Sequence, residues 1–199
     1  MKNSIIILIC TILSSCVEIS SGYTAPQPLN KYTPISSQKY DVTYSVSYFA
    51  NRLDIIGASS ETDFRIKIGE KLKETGLFSN VTYTSFENKS DYHYHFKIIF
   101  NAPSVNEEMP VIYLSGLTML LIPAWETASL DFSGIVYFKN KEVYGSSTPE
   151  IIKCYWWLPL IPVGIIWNDW FAMQHMENKE MNYVINKLSA FHQRAFIDE

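Results

Sequence analysis

Three features are scarce in this sequence of 199 residues: basic clusters, cysteine and long apolar runs. The chain has 16 basic residues against 20 acidic ones, and the lysines and arginines are dispersed. A protein that neutralises nucleic-acid phosphates needs a basic stripe on its surface. We therefore expect no nucleic-acid partner.

The longest uncharged runs are too short to cross a membrane as a helix, which takes about 20 apolar residues. The N-terminal run is Ile5-Ile6-Ile7-Leu8-Ile9, and it follows the single charge of Lys2. Small residues and a cysteine come next, in the order Leu13-Ser14-Ser15-Cys16. A basic start, an apolar stretch and small residues are typical of a cleaved export signal.

The segment Leu13-Ser14-Ser15-Cys16 resembles the lipobox of bacterial lipoproteins. The resemblance implies that the Cys16 thiol is joined to a diacylglycerol and that the signal is cut just before Cys16. The new amino group is often acylated as well, for example with palmitate. An ordinary secretory signal or a short uncleaved anchor is the alternative interpretation.

Cysteine is present only at positions 10, 16 and 154. Cys10 would leave with the signal and Cys16 would carry lipid, so Cys154 would have no partner for an intrachain disulfide. We interpret Cys154 as a small core residue. Without Lys2, the only charge in the signal, 15 basic residues remain against 20 acidic ones, a net charge of −5.

The predicted organisation is a signal peptide over 1–15, an acylated cysteine with a flexible tether over 16–38, and a periplasmic α+β domain over 39–199. Prolines and small polar residues favour a linker in the second segment. Position 17 is Val. In lipoproteins of this kind, Asp directly after the cysteine is similar to a signal for retention in the inner membrane. Because Val is present here instead, the lipoprotein resemblance favours the outer membrane, with the domain facing the periplasm or the cell surface.

The first half of the domain predicts the order strand, helix, strand, strand. Residues 40–48 alternate between apolar and polar, as in a half-buried strand. Ser60 and Asp63 form a weak capping box, and Gly76 suits a helix end. Strands over 80–86 and 91–100 follow, and the short polar link between them suggests a hairpin.

This half resembles small α/β domains of periplasmic lipoproteins, including cell-wall synthase activators and curli secretion lipoproteins. The resemblance covers residues 40–100 and implies fold more than function. Its matching positions are Phe64, Leu72, Thr75-Gly76-Leu77-Phe78, Val81 and Ser90-Asp91-Tyr92.

The second half predicts a hairpin of 129–138 with 142–147, around Lys139-Asn140-Lys141, and a C-terminal helix from Asn168 or Asp169. The helix has an apolar seam at Met181, Val184, Leu188, Phe191 and Ala195. The expected fold is one α+β domain. It has a largely antiparallel sheet, one helix after the first strand and one C-terminal helix.

An uncharged aromatic stretch, 154–167, has three possible interpretations. It completes the core as a buried strand and loop, it forms a patch for a protein partner, or it dips into the lipid interface. Together with the apolar segment 117–125 it is a candidate contact surface. The candidate contact residues are Trp125, Trp156, Trp157 and Trp167.

His93 and His95 are the weak candidates for a metal site, because alternate strand residues point the same way. Such a site needs further ligands, for example Asp91, His175 or His192. We prefer to interpret the pair as part of a solvent-facing strand surface. We predict no catalytic residue, no cofactor and no resident metal.

These observations predict a membrane-anchored envelope lipoprotein that acts as a non-enzymatic binding or assembly module. Its partners would be the membrane, through Cys16, and an envelope protein. Two alternatives stay open: a metal-binding or hydrolytic periplasmic enzyme using His93 and His95, and a self-assembling secretion or pore subunit.

Overall fold

A computed structural model describes residues 17–20, 28–32, 40–51, 59–86, 90–101, 117, 124–156 and 169–195. Six strands and two long helices make up this part of the chain. They are β1 (Val17–Ser20), β2 (Tyr40–Ala50), α1 (Glu61–Glu74), β3 (Phe78–Tyr83), β4 (Tyr92–Asn101), β5 (Ala124–Phe138), β6 (Lys141–Trp156) and α2 (Asp169–Ala195).

The six strands form one sheet in the order β1-β6-β5-β4-β2-β3. β2 pairs in parallel with both β3 and β4, and the other three pairings are antiparallel. The predicted α+β class is confirmed: the sheet is largely antiparallel, one helix follows β2, the first strand of the predicted domain over 39–199, and a second helix is C-terminal.

Both helices pack on the same face of the sheet and bury its apolar side chains. The predicted alternation in β2 and β4 is confirmed, since Val42, Tyr44, Tyr94 and Phe96 are buried. Buried residues of the two helices complete this core: Phe64, Ile68, Leu72, Met176, Met181, Val184, Ile185 and Leu188.

The ends of α1 form as the sequence predicts. Ser60 is the N-cap, its hydroxyl accepts from the Asp63 backbone N–H, and the Asp63 carboxylate accepts from the Ser60 backbone N–H. This reciprocal pair satisfies two N–H groups that a helix start leaves without intrahelical partners. Gly76 ends the helix with φ +76°, a conformation that costs glycine little.

The β5–β6 hairpin is confirmed and is longer than predicted. Lys139 and Asn140 form its turn with φ of 48° and 65°, as a two-residue type I′ turn requires. Lys141 already belongs to β6. The pairing runs from Phe138↔Lys141 to Ala124↔Trp156, so residues 154–156 are the end of a strand.

The hairpin predicted between the third and fourth strands is wrong, because β2 lies between them. β3 pairs with the first half of β2, ending at Tyr44↔Tyr83, whereas β4 pairs from Thr43↔His93 onward. The two strands therefore lie on opposite sides of β2, with β3 beside its first residues and β4 beside the residues that follow. The chain after Tyr83 passes from one side of β2 to the other, a short distance that a polar link resembling a hairpin loop can span.

The prediction of a continuous flexible tether does not hold for two of its segments. Residues 17–20 form β1, which pairs antiparallel with β6. In residues 28–32, the Asn30 N–H donates to Asn186 Oδ1 at 2.8 Å and the Tyr32 N–H donates to the Thr75 carbonyl at 2.9 Å. These bonds fix the segment to the C-cap of α1 and to the second half of α2. Cys16 lies outside the described residues.

The C-terminal helix is confirmed, and polar side chains join it to its neighbours. Met181, Val184 and Leu188 of its predicted seam are buried. Lys179 binds both carboxylate oxygens of Glu150 on β6, at 2.7 and 2.9 Å. In the described part of the chain, neither helix is long and apolar enough to cross a membrane.

We expect Gly134→Ala to destabilise the fold, because a Cβ there would lie 2.7 Å from Leu188 Cδ1 and 2.8 Å from Val184 Cγ1. Overpacking of this kind costs about 1–3 kcal/mol. Gly145→Ala on β6 is the matched control, since its nearest neighbour would be 3.7 Å away. Urea unfolding measures both variants, and equal stability of the two would contradict this account of the helix–sheet contact.

His192 is buried near the end of α2, on the helix side of the sheet. Its Nδ1 is 3.0 Å from the Tyr94 hydroxyl, and the rings of Tyr40, Phe78 and Tyr92 surround it. Burial among these groups lowers the pKa of His192 to about 4. The folded protein therefore holds this imidazole neutral at a pH where an unfolded chain would protonate it.

This shift predicts that stability falls as the pH drops from 7 towards 4. Between these values the unfolded state binds more protons at His192, so the free energy of unfolding changes by up to about 1.4 kcal/mol per pH unit. Denaturant unfolding of His192→Gln should show a flatter pH dependence than the parent protein. His175→Gln, at an exposed histidine of the same helix, is the control and should leave the dependence unchanged.

Candidate functional site

The candidate histidines lie on the far face of the sheet, which we define as the face opposite to α1 and α2. The parallel register sets Thr43 beside His93 and Ser45 beside His95. The Thr43 hydroxyl is 2.8 Å from His93 Nδ1, and the Ser45 hydroxyl is 2.8 Å from both His93 Nε2 and His95 Nδ1. Ser45 therefore bridges the two imidazoles.

The chain that crosses β2 covers this cluster. The Thr84 N–H donates to the Tyr44 carbonyl, and the Phe86 ring then lies 5.8 Å from the ring of His93 and 4.7 Å from that of His95. On the other side of the crossing, the Ser90 N–H donates to the Thr43 hydroxyl at 3.1 Å. Phe86 and Ser90 therefore both contact the cluster.

The interpretation of both histidines as solvent-facing is therefore wrong for His93. Its exposed fraction is 0%, whereas His95 is half-buried and Asp91 and Lys97 are exposed. Strand alternation does place these residues away from the core, as expected. His93 is buried because the rings of Phe86 and Tyr137 lie against it, at 5.8 and 6.3 Å.

The geometry favours a structural role for the cluster over a nucleophilic one. A serine nucleophile and its base must reach a substrate. Ser45 is only 3% exposed, and its oxygen is held between two imidazoles. Both ring nitrogens of His93 are engaged by hydroxyls, which suits a network that secures the β2–β4 pairing.

The structure does not bring the other candidate metal ligands to the histidine pair. His175 and His192 belong to α2, on the helix side of the sheet. Asp91 is exposed at the start of the predicted polar face. Within the described ranges, no group of three or more His, Cys, Asp or Glu residues could hold a metal ion.

The aromatic candidates are divided between described and undescribed residues. Trp125 is the second residue of β5 and Trp156 is the last residue of β6. Trp157 and Trp167 lie outside the described residues, as do 118–123 and 157–167 in the two apolar segments. Leu117 is described and is 82% exposed.

Three strand termini meet at one end of the sheet. Tyr155 pairs with Val17 of β1 on one side and with Trp125 of β5 on the other, and Ala124 pairs with Trp156. We call the end formed by Val17, Ala124, Trp125, Tyr155 and Trp156 the aromatic end. The opposite end, at the Lys139–Asn140 turn, is the hairpin end.

Sequence reasoning missed Ser45 and Phe86, which build the histidine cluster. A signal for Ser45 existed, because it lies on the polar side of the alternating strand over 40–48. The signal did not reveal its partner, since the parallel register between β2 and β4 depends on tertiary structure. The strand predicted over 80–86 includes Phe86, whereas β3 ends at Tyr83 and Phe86 belongs to the connection between β3 and β4.

No protein-family model matches the chain, and no curated protein matches it. Several solved structures are similar at low identity. A PelC dodecamer variant from Paraburkholderia phytofirmans has a TM-score of 0.37 at 8% identity, covering 88% of this chain and 99% of that one. A Xanthomonas campestris protein of the DUF330 family has a TM-score of 0.44 at 8% identity, covering 86% and 93%.

A third similar structure is a neuraminyllactose-binding hemagglutinin homolog from Helicobacter pylori. Its TM-score is 0.34 at 7% identity, covering 84% of this chain and 91% of that chain. All three TM-scores lie below 0.5, so these likenesses carry no argument about function.

Removing the Ser45 hydroxyl should destabilise the domain, because Ser45→Ala takes one hydrogen-bond partner from each of two imidazoles. A lost buried partner costs about 1–3 kcal/mol. Ser47→Ala is the matched control on the same strand, since its hydroxyl is 3.5 Å from His95 Nε2 and half-buried. Chemical denaturation compares them; a Ser45→Ala variant as stable as the control would contradict the bridging role.

Proposed function

We propose that this chain is a lipid-anchored protein of the bacterial cell envelope whose folded domain binds another envelope component without catalysing a reaction. The observation that carries the proposal is the order of Lys2, the apolar run 5–9 and Leu13-Ser14-Ser15-Cys16. It supplies an export signal and a site for the lipid in one segment. The anchor is the diacylglycerol thioether of Cys16.

Binding is favoured over catalysis by the state of the histidine cluster. In a hydrolase, Ser45 and His93 would be the obvious nucleophile and base, but Ser45 is 3% exposed and His93 is 0% exposed. Each imidazole is bonded to a hydroxyl of β2. The far face also carries exposed apolar side chains, such as Phe49 and Phe86, that a partner protein can cover.

The outer membrane is the favoured location in this proposal, because the residue after Cys16 is Val17 and not the Asp that would suggest retention in the inner membrane. The domain then faces the periplasm or the cell surface. A protein partner and a second copy of the same chain are distinguished by crosslinking in cells, affinity capture of the lipidated protein and sizing after membrane extraction. A ring of this chain alone would support the assembly alternative over a binding module.

Cys16→Ala should abolish acylation and leave unprocessed precursor, because the thiol is the only group in the lipobox that can form the thioether. Labelling cells with a palmitate analogue and measuring the intact mass tests both results. Cys10→Ala and Cys154→Ala are matched controls that keep the other cysteines and should be labelled like the parent chain. Normal labelling of Cys16→Ala would refute the anchor.

A further inference from the structure

Three chain segments that are distant in sequence converge at the aromatic end. The lipobox leads into β1 at Val17, the apolar segment 117–125 leads into β5 at Ala124, and the aromatic stretch 154–167 leaves β6 at Trp156. The pairings Val17↔Tyr155 and Ala124↔Trp156 hold these three points side by side. Sheet register thus brings the three points at which these segments join the sheet to the aromatic end.

The covalent structure limits how far the lipid can lie from the aromatic end. Cys16 is bonded to Val17, so their Cα atoms are about 3.8 Å apart. Since neighbouring strands lie about 4.8 Å apart, β5 begins roughly 10 Å from β1. β1 is part of the sheet from its first residue, Val17, so no spacer separates the lipidated residue from the folded domain.

The hairpin end has the opposite character. Its turn and the residue after it, Lys139, Asn140 and Lys141, are exposed, and so is Glu142. The Lys139 N–H donates to the carbonyl of Asp91, another exposed charged residue. Fifteen residues of β5 separate the two ends, a distance of about 50 Å in an extended strand. The turn at the hairpin end is therefore charged, whereas the five residues of the aromatic end carry no charge.

We propose that the aromatic end lies in the interface of the membrane that takes up the Cys16 acyl chains, and that the sheet extends from there with its hairpin end away from the lipid. This inference rests on the proposed lipidation and adds the surface that contacts the bilayer. Tryptophan and tyrosine favour the membrane–water interface, and this end carries Trp125, Tyr155 and Trp156. The anchor is too short to hold the domain clear of that surface.

The test places a fluorescent label at three depths along the β5–β6 hairpin. Single cysteines are introduced as Ala124→Cys, Ile151→Cys and Lys141→Cys in a Cys154→Ser background, because Cys16 is blocked by lipid. Each full-length lipidated protein is labelled with nitrobenzoxadiazole and reconstituted into phosphatidylethanolamine–phosphatidylglycerol vesicles. A nitroxide on the lipid headgroup quenches labels that lie at the interface.

Quenching should decrease in the order 124, 151, 141, with at least about a threefold difference between the first and the last, since the strand carries the last label beyond contact range. Ten glycine and serine residues inserted between Cys16 and Val17 should reduce the quenching at 124, because such a linker adds roughly 17 Å of mean reach. Circular dichroism verifies that each variant is folded.

Equal quenching at the three positions, or the reverse order, in acylated and folded protein would overturn the inference and leave the proposed function standing. Unchanged quenching at 124 after the insertion would overturn the argument from a short attachment. Loss of acyl label from the parent chain would overturn the proposed function itself. Acylation is measured on the same samples, so the two failures are distinguishable.

Discussion

The parallel pairing of β2 with both of its neighbours is the constraint on which the rest of the sheet depends. β3 occupies the first half of β2 and β4 occupies the second, with Tyr44↔Tyr83 and Thr43↔His93 at the change of partner. Two strands that flank a third in the same direction need a connection that crosses it. Here the crossing is short because the two pairings meet at nearly the same level of β2.

This crossing accounts for the chemistry of the far face. It brings Phe86 over both histidines and Ser90 against Thr43. Polar groups that strand alternation directs towards water are thereby buried, and they must be satisfied within the protein. The hydroxyls of Thr43 and Ser45 meet this need at 2.8 Å. The Ser–His arrangement is thus a consequence of topology.

Charged groups position α2 in a comparable way. The buried Glu177 carboxylate accepts from Ser59, just before α1, and from Lys67 in the middle of α1, and Lys179 binds the buried Glu150 of β6. Removing water from such pairs offsets much of their attraction, so they add little stability compared with apolar packing. They do fix the position of α2 along the sheet, because sliding the helix would leave a buried charge without its partner.

Local patterns were sufficient to predict most elements of the fold. The capping box at Ser60, the alternation in β2 and β4 and the turn at Lys139 and Asn140 each depend on residues close in sequence. The β3–β4 pairing was mispredicted because a short polar link suits both a hairpin and a crossing, and only the register with β2 distinguishes them. The same register decides that Ser45 and His93 meet, so alternation could not predict the burial of the cluster.

Tertiary pairing also changes the meaning of the proposed lipid site. As a sequence pattern, Cys16 precedes a proline-bearing segment that would hold a domain away from the bilayer. In the fold, Val17 is already hydrogen-bonded into the sheet beside Tyr155, so the part of the segment that could act as a spacer comes after β1. Lipid on Cys16 would therefore attach at the aromatic end of the sheet. The direction of the strands would then set the orientation of the domain relative to the membrane. The far face and the exposed side of β3 would then run along the membrane normal, where a partner in the envelope can reach them.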